Sequence, residues 1–180
     1  MIIRCYGDSN TYGFDPRSYL GERYSPENRW VDILAQLSGW CVHNDGENGR
    51  EVTVQTDLQL HEYDMLIIML GTNNILQGES ADVTTQKMHD FIMSLQHAPE
   101  KILLIAPPLL KYGAWVFNQN LIKESILLSP CYRVLAKELK IEFLDAEEWN
   151  IDVAYDGVHF SEEGNRTFAR NLYTYLMREI

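Results

Sequence analysis

Cysteine is scarce in this chain: Cys5, Cys41 and Cys131 are the only three in 180 residues. An odd, low count with no two at metal-ligand spacing argues against a disulfide framework and against a zinc site. Cys5 and Cys41 fall in apolar stretches and read as buried small residues. Basic charge is also short, with 15 Lys and Arg against 26 Asp and Glu, giving a formal net charge of -11. Such a polyanion gains nothing from counterion release on nucleic acid, and anionic membrane surfaces repel it, so neither is an expected partner. Long hydrophobic runs are missing. The longest, Met65 to Leu70, falls well short of the roughly 20 residues that span a bilayer. Met1-Ile2-Ile3-Arg4 leads directly into a strand-like run, without the basic segment and apolar core of a signal peptide, so a cytoplasmic location is expected.

What is present is an ordinary globular mixture, 46% hydrophobic and 23% charged, with too little Gly or Pro for a fibre. The length fits one domain of roughly 100–200 residues, and no repeat, low-complexity tract or linker divides residues 1–180. Short apolar runs alternate with helix-period segments. Ile2 to Tyr6, Trp40 to His43, Asp64 to Leu70, Lys101 to Ala106 and Ile141 to Leu144 read as strands. The signal Ser25-Pro26 predicts a helix start, followed by Trp30, Ile33, Leu34 and Leu37 on one face and by Gly39 as its stop. Met88, Phe91, Ile92 and Leu95 mark another amphipathic helix. Asn118 to Lys140 is helical in pattern, but Ser129-Pro130 predicts a kink or a division into two helices. A last helix starts at Ser161-Glu162-Glu163 and buries Phe168, Leu172 and Leu176.

Strands that are apolar on both faces and alternate with helices imply a parallel sheet covered on both sides. The economical arrangement is a three-layer α/β/α sandwich around five parallel strands. The long loops Tyr12 to Arg23 and Lys111 to Phe117 lie at strand ends, where such folds place their sites.

Polar clusters follow the strands at their carboxyl ends: Gly7-Asp8-Ser9-Asn10, Asn48-Gly49-Arg50, Gly71-Thr72-Asn73-Asn74 and Asp156-Gly157-Val158-His159. In a parallel sheet these ends share one edge, so the clusters can converge there. A serine hydroxyl becomes a nucleophile when a base takes its proton, and His159 is a suitable base. Asp156, three residues earlier, can fix the imidazole tautomer. The Ser9 N–H, the Gly49 N–H and the Asn73 amide can serve as donors to a developing oxyanion. Each cluster alone also reads as a turn, Asn48-Gly49 and Asp156-Gly157 being hairpin-turn dipeptides. Asp8 reads either as a brace for the Ser9 loop or as an exposed turn acid. Tyr12, Phe14, Tyr112 and Trp115 read either as walls of a substrate pocket or as packing of the two long loops. His43, His61, His89 and His97 have no partner at metal-pair spacing and read as surface or packing residues.

The four clusters, in this order, resemble the SGNH (GDSL-type) hydrolases, in the single-domain bacterial branch of esterases, arylesterases and lysophospholipase-like enzymes. Gly7-Asp8-Ser9 matches the nucleophile block, with Asn10 where leucine is commoner. Gly49-Arg50 matches the second block, and Asn73 the third, with Asn74 where Asp is more usual. Asp156 and His159 match the Asp-x-x-His block, and Asn165 stands where many relatives carry His. The resemblance implies a flavodoxin-like sandwich and a serine esterase acting on small ester substrates. Ser9 would be the nucleophile, His159 the base and Asp156 its orienting partner, with Gly49 and Asn73 as oxyanion donors. That chemistry requires no metal or organic cofactor, and the resemblance also implies a homo-oligomer as a possible state. Two other classes compete. One is a flavodoxin-like FMN-binding electron-transfer protein, with Ser9-Asn10-Thr11-Tyr12-Gly13 as its phosphate loop. The other is a non-catalytic relative that binds esters or glycans.

Overall fold

The computed structural model describes residues 1–54 and 58–179. Its elements in chain order are β1 (Ile2–Gly7), α1 (Ser9–Tyr12), α2 (Trp30–Ser38), β2 (Cys41–Gly46), β3 (Met65–Met69), α3 (Thr72–Leu76), α4 (Ala81–Ser94), β4 (Lys101–Ala106), α5 (Gln119–Leu139), β5 (Glu142–Asp145) and α6 (Glu162–Glu179). The strands form one parallel sheet in the order β2-β1-β3-β4-β5. The chain steps from β1 outward to β2, then crosses back to β3 and continues to β5. The direction of winding thus reverses at β1 and β3, and the edge beyond their carboxyl ends is the crevice where sheets of this kind bind ligands.

Strand β3 carries no polar residue because both of its faces are covered. Met65, Ile67 and Met69 enter one core, where Trp30 and Leu34 of α2 meet Phe168, Leu172 and Leu176 of α6. Leu66, Ile68 and Leu70 enter the other, against Met88 and Phe91 of α4 and Leu128 and Tyr132 of α5. The alternation follows from the two-residue period of a strand. Among the described residues no helix is long and apolar enough to cross a membrane.

Three local expectations are corrected. Cys5 is buried, but Cys41 is exposed, because β2 is an edge strand whose first side chain lies outside both cores. Ser25-Pro26 starts only a 3-10 turn, Pro26–Asn28, after which Arg29 is extended at φ -112 and ψ 127. Helix α2 begins at Trp30 instead, whose N–H donates to the Asn165 side chain at 3.1 Å and whose indole is fully buried. That anchoring overrides the local cap signal. Helix α5 is one helix through Pro130, so the division into two helices does not occur. The carbonyl left without its N–H partner belongs to Ile126, an exposed residue where water can replace the lost bond. Ser129 caps nothing there; its hydroxyl donates to Asp145.

Phe168 is fully buried, its ring centroid 4.9 Å from that of Trp30, 5.3 Å from Phe160 and 5.4 Å from Trp149. Truncating it opens a cavity that three rigid rings cannot collapse into. Phe168→Ala is expected to lower the unfolding free energy by about 3–5 kcal/mol in urea titration, and a loss under about 1 kcal/mol would contradict the packing described.

Candidate active site

Ser9 opens the single turn of α1, directly after β1. Asp8 caps that turn, its carboxylate accepting from the Asn10 N–H at 3.0 Å. The turn sits against the end of β2: a Cβ at Gly46 would lie 2.0 Å from the Tyr12 nitrogen, so only glycine allows this approach. Asp8 is thereby a buried brace rather than an exposed turn acid, with 1% of its surface accessible. Burial pushes its carboxyl up to about 6, against the opposing pull of the Asn10 N–H and of the nearby His159.

Opposite Ser9, the segment 156–159 folds around the Asp156 carboxylate. Oδ1 accepts from the N–H groups of Val158 (2.9 Å) and His159 (3.0 Å), and Oδ2 lies 2.6 Å from His159 Nδ1. Gly157 holds φ at +80, and a Cβ there would strike the Lys111 carbonyl at 2.0 Å. Burial alone would raise the Asp156 pKa, but the bonds from the His159 ring and from the two backbone N–H groups outweigh it and leave the carboxyl below its usual range. An ionised carboxylate only accepts, so His159 carries its proton on Nδ1. Nε2 then presents a lone pair 2.9 Å from Ser9 Oγ.

Ser9, Gly49, Asn73 and His159 line one cavity of about 310 Å3, together with Phe14, Trp115, Asn48, Leu76 and Val158. Gly49 sits in the turn after β2 at φ +76. Arg50 secures that turn: its guanidinium lies 4.1 Å from the Tyr6 ring centroid and donates to the Gly7 carbonyl at 3.0 Å. Asn73 lies in the first turn of α3, and its Nδ2 donates one hydrogen to the Arg50 carbonyl at 3.0 Å. A primary amide has two such hydrogens, so the second remains for the cavity. Asn74, on the same turn, is fully buried and accepts from the Val52 N–H at 2.8 Å, bracing the neighbouring segment.

Two of the four candidate pocket aromatics reach the cavity. The rings of Phe14 and Trp115 lie 4.6 and 5.0 Å from the His159 ring, centroid to centroid. Tyr12 and Tyr112 do not line it. The Tyr12 ring packs against the Arg23 guanidinium at 4.5 Å, and Tyr112 is exposed. Asn48 and Val158, which the sequence gives no role beyond membership of the polar clusters, and Leu76, which it does not point to, also line the cavity. Leu76 was findable, three residues beyond Asn73 and so on the same face of α3. His43 contacts Tyr63 at 3.1 Å, away from the cavity. Among the described residues no group of three or more His, Cys, Asp or Glu is placed to hold a metal ion.

Residues 5–167 match the GDSL-like Lipase/Acylhydrolase family. The chain belongs to that family. Solved structures similar to this GDSL-like chain include a provisionally named arylesterase from Agrobacterium tumefaciens str. C58, at 29% identity and a TM-score of 0.83, with 100% of both chains covered. A carbohydrate acetylesterase family member from Sinorhizobium meliloti aligns at 26% identity and 0.80, covering 99% of this chain and 98% of that one. The aryl esterase of M. smegmatis aligns at 25% and 0.83, covering 99% of each. Comparison with curated proteins gave no match. As a GDSL-like protein the chain is an acyl hydrolase, and the FMN-binding reading is left without support.

The position of Asp8 sets a pH dependence of stability. Its native carboxyl keeps a proton up to about pH 6, whereas the unfolded chain releases it in the ordinary carboxylate range. Native protein therefore binds the extra proton between about pH 4 and 6, and stability falls as pH rises through that window. Asp8→Asn keeps the cap acceptor but lacks the titration. Its unfolding free energy relative to the parent should improve by on the order of 2 kcal/mol from pH 4 to pH 7. Urea titrations at both pH values check this, and a pH-independent difference would contradict it.

Proposed function

We propose that residues 1–180 act as one hydrolase domain, a serine esterase that cleaves small carboxylic esters through an acyl-enzyme. The observation that carries this reading is the hydrogen-bonded series Ser9 Oγ, His159 Nε2, His159 Nδ1 and Asp156 Oδ2, at 2.9 and 2.6 Å, inside a cavity also lined by Gly49 and Asn73. Ser9 Oγ attacks the ester carbonyl carbon while its proton passes to Nε2. Asp156 holds the ring and stabilises its positive form. Collapse of the tetrahedral adduct breaks the carbon–oxygen bond to the alcohol, which leaves with the proton from Nε2. Water then attacks the Ser9 ester with His159 again as base, releasing the carboxylic acid and restoring the serine.

Negative charge on the carbonyl oxygen is met by the N–H groups of Ser9 and Gly49 and by the free amide hydrogen of Asn73. Ser9 is the first residue of α1, where the N–H groups of a helix lack intrahelical partners. The apolar walls Phe14, Leu76, Trp115 and Val158 suit an uncharged ester rather than an ionised ligand. The similar structures are named for aryl esters and for acetylated carbohydrates, which supports an aryl or sugar alcohol portion and a short acyl portion.

Ser9→Ala should abolish turnover of p-nitrophenyl acetate while the unfolding transition stays in place; retained turnover would refute the nucleophile. Asn73→Ala should lower kcat by about 10²–10³ if its amide meets the oxyanion. A change confined to KM would reassign Asn73 to substrate positioning.

A further inference from the structure

Asn10 is polar, 5% exposed and adjacent to Ser9, yet the reaction above gives it no task. Its carboxamide spans the residue proposed as the base. Nδ2 donates to the Val158 carbonyl at 3.2 Å, and Oδ1 accepts from the Phe160 N–H at 2.9 Å. One side chain thus bonds to the peptide groups on both sides of His159, as a neighbouring strand would. The remaining backbone groups there are also engaged. The His159 N–H donates to Asp156, and the His159 carbonyl accepts from the Ala154 N–H at 2.7 Å.

Asn10 is itself immobilised. Its N–H donates to Asp8, and its carbonyl accepts from the Trp30 indole N–H at 3.0 Å. Trp30 is tied in turn to Asn165 at the start of α6. One residue is therefore joined covalently to the proposed nucleophile and by two hydrogen bonds to the chain that carries the base. The sheet does not fix that separation: β5 ends at Asp145, and residues 146–158 intervene before His159.

We propose that Asn10 is a positioning residue for acyl transfer, fixing the Ser9 Oγ to His159 Nε2 distance by holding both peptide groups that flank His159. The proposal rests on the assignment of Ser9 and His159 made above. A displacement of the base by about 1 Å is enough to cost on the order of 10² in rate, so losing the clamp should appear in kcat. A contact that merely stabilised the fold would not act through His159.

The experiment is a double-mutant cycle on p-nitrophenyl acetate hydrolysis: the parent, Asn10→Leu, His159→Ala and the double variant, with thermal unfolding recorded for each. Asn10→Leu should lower kcat at least tenfold with KM within twofold. In the His159→Ala background the same change should alter kcat less than twofold. The isosteric Asn10→Asp, which keeps the acceptor for Phe160 but cannot donate to Val158, should lose several-fold in kcat with the same dependence on His159. It carries the test if Asn10→Leu does not fold. An unchanged kcat in a folded Asn10 variant, or an equal loss with and without His159, overturns the proposal. If His159→Ala itself leaves kcat intact, the assignment of the base fails instead, a distinct outcome.

Discussion

Five strands running in one direction impose the geometry on which the site depends. The register sets Gly7 opposite both Gly46 and Met69, so β1, β2 and β3 end flush. Neighbouring strands lie about 4.8 Å apart, which confines the three chain exits to a width of about 10 Å. Ser9, Gly49 and Asn73 follow those exits by a few residues and have little room to be elsewhere. His159 is different, because β5 lies two strands beyond β3 and the chain must return across the edge. The bridge between Val153 and Phe160, the Asp156 carboxylate and the Asn10 carboxamide supply that return with hydrogen bonds in place of a strand.

The crevice is consequently backed by polar groups that are as buried as the cores beneath it. Asp8, Asn10, Asn74, Asp156 and Asn165 are each at most 5% exposed. Leaving one such group unsatisfied costs about 1–3 kcal/mol. Asn10, Asn74, Asp156 and Asn165 are each given partners at short range, whereas Asp8 keeps one carboxylate oxygen, Oδ2, without a hydrogen-bond partner among the described residues. Asn165 shows the economy: its oxygen accepts from Trp30 and its nitrogen donates to the Ser161 carbonyl, which joins α2 to α6 under the site. Networks of this kind fix one geometry where apolar packing alone would permit several.

The parts of the fold legible in the sequence are those where burial is symmetric. Met65 to Met69 is apolar throughout and could be little else than a central strand. Cys41 misleads because an edge strand in an apolar stretch has the same composition with half the cover. Ser25-Pro26 and Ser129-Pro130 are valid local signals overruled by tertiary anchoring, at Trp30 in one case and within a long helix whose solvent side tolerates proline in the other. In the site, the residues at strand exits were legible because topology alone brings them to one edge. The pocket walls were only half legible. Phe14 and Tyr12 lie two residues apart in one loop, and nothing in their spacing says which ring turns inward.

Backbone bonds decide that question. The N–H groups of Gly13 and Phe14 both donate to the Ser9 carbonyl, and Phe14 is bridged to Arg23, so the Phe14 ring is delivered over the serine turn while Tyr12 is left to the Arg23 guanidinium. On the other side, the N–H groups of Ala114 and Trp115 donate to the carbonyls of Tyr155 and Asp156, and that of Lys111 to Gly157. The Tyr155 hydroxyl donates to the Pro16 carbonyl at 2.7 Å, closing the first loop onto the same segment. Both aromatic walls are therefore built on the chain that carries Ser9 or on the chain that carries Asp156 and His159. Cavity shape and the alignment of the His159 ring with the Ser9 hydroxyl are set by one body of hydrogen bonds, so a substitution that reshapes the 111–117 loop acts on His159 as well as on the cavity.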